Sequence, residues 1–224
     1  MSLVRSRPRL LSLLIAWCLV LLATRVTQIG SPAFVFLGWN LILALIPLGA
    51  SSLLSRLDRA RAPRLGLLAV GAVWLLFLPN APYILTDLFH LRERPPVPMW
   101  FDLALLLSFA GTGLLAGYLS LTEVHRVVAR RIGPRVAWGG AVAVHFLSAF
   151  GIYLGRYLRY NSWEILTAPE RLLADAIAPV LDPMAHPRAV AVTAVFGGLL
   201  TLGYLAMHAV AEHTRSPSAE SARG

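Results

Sequence analysis

The chain has 224 residues, 57% of them apolar and only 14% charged, with a mean hydropathy of +0.67, whereas a soluble domain carries about 25% charged residues. That excludes an ordinary soluble domain. The net charge of +9 rests on twenty arginines and no lysine, scattered in short clusters between apolar runs, a pattern of membrane topology signals and not of nucleic-acid binding.

A helix needs about 20 mainly apolar residues to cross the hydrocarbon core. Six such runs stand in order: Leu10 to Ile29, Ala33 to Leu54, Leu65 to Leu78 with an extension toward Leu85, Phe101 to Leu121, Val136 to Leu158, and Ala189 to Val210. The first follows Arg5, Arg7 and Arg9 but lacks a small-x-small cleavage site, so it is read as a retained span. Cys18, the only cysteine, lies within it and reads as a small buried hydrophobe, with no partner in the chain for a disulfide or a cysteine metal cluster. The third run is interrupted by Pro79 and Pro82. It reaches full length only if "LPNAPYILTDLFHL" continues the helix; the alternative is a re-entrant hairpin.

Between the fifth and sixth runs, "PERLLADAIAPVLDP" places apolar residues at helical intervals, with Pro169 at its start and Pro179 and Pro183 marking its end. It reads as a short interfacial helix, a candidate lid. The fold class is therefore all-α, a polytopic membrane helix bundle of about six transmembrane helices plus that interfacial helix. Residues 1–212 form one helical domain, and residues 213–224, small and polar, read as a disordered tail.

Counting arginines on alternating sides puts thirteen with the N-terminus, "RLDRARAPR", "HRVVARRIGPR" and the tail, and seven opposite them. The positive-inside rule then makes both termini cytoplasmic, and a bacterial cytoplasmic membrane is the expected location. Seven of the eleven acidic residues fall on the other, outer side.

Three segments meet that outer face. In "LPNAPYILTDLFHL" the prolines deprive nearby carbonyls of helical donors, and Asn80 is placed to satisfy one of them. Asn80, Tyr83 and Asp87 recur at spacings of three and four, with His90 three beyond Asp87. The second segment, "MWFDLALLLS", brings Asp102 to the start of the fourth span. The third, "LGRYLRYNSWEIL", carries Arg156 and Arg159 on one helical side, then Asn161, Ser162, Trp163 and Glu164. Arginines on the outer side run against the topology bias. Either one pairs with Asp87 or Asp102, or they grip an anionic headgroup. No HExxH, HxH or cysteine pattern supports a metal, and no cofactor is indicated. His145, His208 and Glu123 lie at or within spans where any of them could join a proton relay, but each is isolated in the sequence, and a lone histidine on an apolar helix reads first as hydrogen-bonded packing. Asn40 and Pro47 in the second span either serve a function or, more simply, mark a kinked helix with one internal hydrogen bond.

Taken together, "WLLFLPNAPYILTDLFHL", "WFDLALLLSFAGTGLLAGYLSL" and "GRYLRYNSWEIL" resemble a family of bacterial multi-pass membrane proteins, domain of unknown function 1361. The resemblance implies an integral membrane protein whose recurring polar residues map onto Asn80, Tyr83, Asp87, Asp102, Arg156, Arg159, Asn161, Ser162 and Trp163. It implies no activity.

Three functions fit. One is a membrane-embedded enzyme acting on a lipid or lipid-linked substrate, with Asp87 or Asp102 as general base, His90 as acid-base partner and Arg156 with Arg159 as anion clamp. Another is an accessory protein bound to other membrane proteins through glycine-rich faces such as Gly111, Gly113 and Gly117. The third, a small-solute transporter, expects polar residues throughout the bilayer depth and two related halves, neither of which is visible.

Overall fold

The computed structural model of the protein describes residues 3–29, 32–160 and 164–213. Among these, nine α-helices follow one another: α1 (Leu3–Ile29), α2 (Phe36–Arg59), α3 (Arg64–Phe77), α4 (Asn80–Tyr83), α5 (Met99–Arg131), α6 (Pro134–Arg156), α7 (Glu164–Thr167), α8 (Pro169–Leu181) and α9 (Pro187–His213). A 3₁₀ segment, Ile84–His90, joins α4 toward α5. Six stretches are long and apolar enough to cross a membrane: α1, α2, the run from α3 through His90, α5, α6 and α9. The protein is a multi-pass membrane helix bundle. Its outward side chains, Leu13, Leu65, Leu68, Val195 and Leu202 among them, are large, apolar and exposed, as a lipid-facing surface requires.

The central member is α5, against which α1, α2, α4, the 3₁₀ segment and α6 all pack, while α6 also packs on α9. The expected extent of the fourth span is corrected here. Its helix does not stop near Leu121 but carries Arg126, Arg130 and Arg131 before ending, because arginine is a good helix former whose long stem lets the charge reach water. Only Ile132 and Gly133, the latter at φ +135°, separate it from α6. Likewise α2 continues through Arg56 to Arg59, and its Asp58 bonds Arg130 and Arg131. These contacts join α2 and α5 at one end of the bundle, the arginine end.

The third span is full length. α3 ends at Phe77, α4 adds one turn, and the chain tightens into seven residues of 3₁₀ helix, a long run for a geometry that seldom exceeds 3–4 residues. Pro79 and Pro82 remove two donors from this break, and local bonds take over: Ala81 N–H donates to Leu78 O, Tyr83 N–H to Pro79 O, the Asn80 amide to Phe77 O at 2.9 Å, and the Thr86 hydroxyl to Tyr83 O at 2.7 Å. Helix α5 closes on one side of the break. A Cβ on Gly113 would fall 2.9 Å from Ala81 O, and one on Gly117 3.0 Å from Ala81 Cβ. Helix α6 closes on the other, where a Cβ on Gly151 would fall 2.7 Å from Pro79 Cβ and one on Gly155 3.0 Å from the Tyr83 ring. Of the small residues expected to pack, Gly111 faces open space.

One further expectation changes. Pro179 does not end the interfacial helix but lies inside α8, which runs to Leu181. In the last turn a missing proline N–H costs a single bond. Leu173, Val180 and Leu181 of α8 are exposed, an apolar stripe suited to an interface. α9 reaches His213, and the tail from 214 to 224 lies outside the described residues.

Because Gly151 abuts a proline ring that cannot swing away, Gly151→Ala is expected to cost about 1–3 kcal/mol. Gly139→Ala, with nothing within 4 Å of the new methyl, is expected to leave the detergent melting temperature unchanged or slightly raised. Equal melting temperatures for the two variants would show that the break is not tightly enclosed.

Candidate functional site

A cavity of about 360 Å³ opens where α2, the proline break, the 3₁₀ segment and the C-terminal end of α6 converge. Its polar wall is built from Asn40 of α2, Asn80 and Tyr83 of α4, Asp87 and His90 of the 3₁₀ segment, and Arg156, Arg159 and Tyr160 at and beyond the end of α6. Six of the sequence-derived candidates are thus gathered: Asn80, Tyr83, Asp87, His90, Arg156 and Arg159. Asn161, Ser162 and Trp163 lie outside the described residues. Glu164, in α7, and Asp102 are not among the lining residues.

The carboxylate of Asp87 is 1% exposed, and the Asn40 side-chain amide donates to its Oδ2 at 2.8 Å. Arg156 Nη1 stands 3.8 Å from Oδ1 and His90 Nδ1 3.9 Å from the same atom. Arg156 Nη2 is also 3.4 Å from His90 Nδ1, and its guanidinium lies 5.5 Å from the centre of the Phe89 ring. The His90 ring packs on Phe36 at 5.1 Å. Arg156 and Arg159 do not share a helical side, because α6 ends at Arg156 and Arg159 takes a left-handed φ of +64°. That turn, rather than helical periodicity, brings the second guanidinium to the cavity. Arg159 is exposed and has no hydrogen bond or ion pair among the described residues. With two guanidinium groups against one carboxylate, the cavity carries an excess of positive charge.

Asp102 belongs to a separate arrangement. It is fully buried, and Arg25 of α1 grips it with both arms, Nε to Oδ1 at 2.5 Å and Nη2 to Oδ2 at 3.1 Å. Arg94 approaches Oδ2 at 3.9 Å. Phe34 stacks beneath both arginines, 5.4 Å from Arg25 and 4.7 Å from Arg94. Neither Arg156 nor Arg159 is its partner. A carboxylate so enclosed locks α1 to α5 and has no open approach for a general base, in contrast to the role expected for Asp102.

Sequence reasoning missed Arg25 and Asn40 as members of these networks. The signals were present: Arg25 is the only charged residue in the first apolar run, and Asn40 the only side-chain amide in the second. Isolated polar residues in transmembrane segments face partners. Among the described residues, no three His, Cys, Asp or Glu side chains gather as a metal would need. The helix expected as a lid reaches the site at Tyr160, whose hydroxyl donates to Asp175 of α8 at 2.7 Å.

Arg25→Ala would strand Asp102 and is expected to cost about 3–5 kcal/mol, with Arg25→Met/Asp102→Leu recovering most of it. Thermal unfolding in detergent measures both, and a double variant no more stable than Arg25→Ala would contradict the lock. For Asp87→Ala, Arg156→Ala and the pair, the longer 3.8 Å contact predicts a smaller coupling of about 0.5–1.5 kcal/mol in the same assay. Coupling as large as a closed buried pair would make Arg156 a structural partner alone.

No curated protein and no solved structure matches the chain. The chain matches one family model over residues 39–202, a stretch that contains the proline break, the 3₁₀ segment and both cavity arginines, and it belongs to that family, described as "Protein of unknown function (DUF1361)".

Proposed function

We propose that the protein binds the anionic headgroup, phosphate or carboxylate, of a membrane lipid or lipid-linked molecule in the cavity between α2, the 3₁₀ segment and α6. The observation that carries this reading is the charge imbalance: two arginines and one carboxylate line a cavity at the end of a membrane bundle. Guanidinium groups bind such oxyanions in bidentate fashion and keep their charge when partly desolvated. Arg156, held beside Asp87 and His90, is the enclosed half of the clamp, and Arg159 is the exposed half. The arginine asymmetry supports an orientation with both termini cytoplasmic and the cavity at the extracytoplasmic face of a bacterial cytoplasmic membrane.

In a catalytic version of this reading, His90 and Asp87 supply acid-base chemistry to the bound headgroup. The imidazole lies at the cavity wall within 4 Å of the carboxylate, and Asn40 fixes the carboxylate so that its free oxygen faces His90 and Arg156. A second reading, an accessory protein bound to other membrane proteins, draws on the Asn40–Asp87 bond, which equally stabilises the junction of α2 with the break.

The test is ligand-induced stabilisation of the purified full chain in detergent, titrated with short-chain phosphatidic acid and, separately, inorganic phosphate. Binding at a concentration 100 times the dissociation constant adds about 2.7 kcal/mol. Arg159→Gln is expected to abolish most of the shift while leaving the unliganded melting temperature unchanged. Stabilisation of equal size in Arg159→Gln and wild type would sink the headgroup reading. A shift with phosphatidic acid and none with phosphate would identify a lipid over a soluble anion.

A further inference from the structure

Between the arginine end and the middle of the bundle, three of the six histidines meet. His125 of α5, His145 of α6 and His208 of α9 surround Tyr204 of α9, with ring centres 6.1, 5.3 and 4.5 Å from the tyrosine ring. His125 and His208 stack at 5.8 Å. Ionisable groups inside a bilayer are costly and usually serve a purpose, and packing alone would be served by phenylalanine.

The cluster is graded from water to the interior. His208 lines a cavity of about 270 Å³ at the arginine end, together with Thr122, Arg126 and Glu212. Next inward, Tyr204 Oη lies 3.4 Å from His125 Nδ1. Deepest is His145, halfway along α6 and 4% exposed. Its Nδ1 faces the Thr201 hydroxyl at 3.4 Å. That hydroxyl spends its own proton on Gly197 O at 2.8 Å, so Nδ1 is the donor and Nε2 carries the lone pair. Nε2 is buried and has no hydrogen-bond partner among the described residues. His145 also borders a void of about 20 Å³ against Leu78 and Pro82, the underside of the break whose other residues line the outer cavity.

We propose that His208, Tyr204, His125 and His145 form a proton relay from the cavity at the arginine end to the underside of the proline break. A proton taken up from water at the His208 imidazole passes to Tyr204 Oη as Oη gives its own proton to Nδ1 of His125; after the Tyr204 side chain turns toward His145, Nδ1 of His125 returns a proton to Oη as Oη gives its own to Nε2 of His145. Each transfer breaks one N–H or O–H bond and forms one, so tyrosine stays neutral and the positive charge ends on imidazole. The other ionisable groups at the cluster are Tyr118 of α5, whose hydroxyl is bound to Leu200 O, and Arg126 and Glu212 at the cavity mouth. Glu123 is turned away toward Ser51 and Ser52 of α2. The relay does not depend on what the outer cavity binds.

The experiment uses the full chain, labelled with ¹⁵N-histidine, in lipid nanodiscs, and reads exchange of each imidazole proton with water by NMR saturation transfer. His145 is expected to exchange in the wild type, and at least about tenfold more slowly in Tyr204→Phe, which removes the transferring hydroxyl. His208→Phe is expected to slow it likewise, keeping the relay testable should Tyr204→Phe fail to fold. His90, outside the cluster, is expected to exchange alike in all three. Absence of His145 exchange in the wild type, or equal rates in wild type and folded variants, would overturn the relay.

Discussion

A backbone inside a membrane has to satisfy its own N–H and C=O groups, because lipid offers no partners. The stretch from Leu78 to His90 departs from regular α-helix under that constraint, with two prolines and a 3₁₀ run in succession. Its local hydrogen bonds satisfy part of the backbone, and the remainder depends on enclosure by protein. Gly113 and Gly117 of α5, and Gly151 and Gly155 of α6, allow that enclosure, since each leaves room that a methyl group would fill against the break. The same close approach carries the end of α6 toward the 3₁₀ segment. The cavity lined by Asp87 and Arg156 is thus a geometric consequence of burying the break.

Two buried carboxylates, Asp87 and Asp102, receive different treatment from their surroundings. Asp102 has a bidentate partner in Arg25 and a second cationic neighbour in Arg94, both over an aromatic floor. Its charge is matched within the protein. Among the described residues Asp87 has one short bond, from a neutral amide, while Arg156 and the His90 imidazole stand back at 3.8 and 3.9 Å and line an open cavity. A closed pair fixes helices. An open one leaves donors able to meet something else, and for that reason the functional reading centres on Asp87, His90, Arg156 and Arg159.

The two ends of the bundle differ in chemistry. At the cavity end, charges are held on short segments and turns at the rim. At the arginine end, α2 and α5 are joined through Asp58 with Arg130 and Arg131, an exposed cluster of modest energetic value. Between them the histidine cluster occupies one side of α5, and the small void at His145 separates it from the underside of the break. Polar groups therefore extend farther through the depth of the bundle than their scatter along the chain suggests.

The helical class, the six spans and the neighbourhood of the polar site were determined by sequence alone, because apolar run length, proline position and arginine asymmetry are local properties that the membrane reads directly. Asn80, Tyr83, Asp87 and His90 were legible as a group since they lie within a dozen residues. What the tertiary structure decided was partnership. Arg25 stands 77 residues from Asp102 and Asn40 stands 47 from Asp87, and no local pattern connects them. Arg159 reaches the cavity through a single left-handed residue beyond a helix end, where helical spacing no longer applies. His145 and His208 looked isolated because their meeting with His125 around Tyr204 depends on how α5, α6 and α9 pack and on no local pattern. Helix packing, set by where glycine permits close approach, made those assignments.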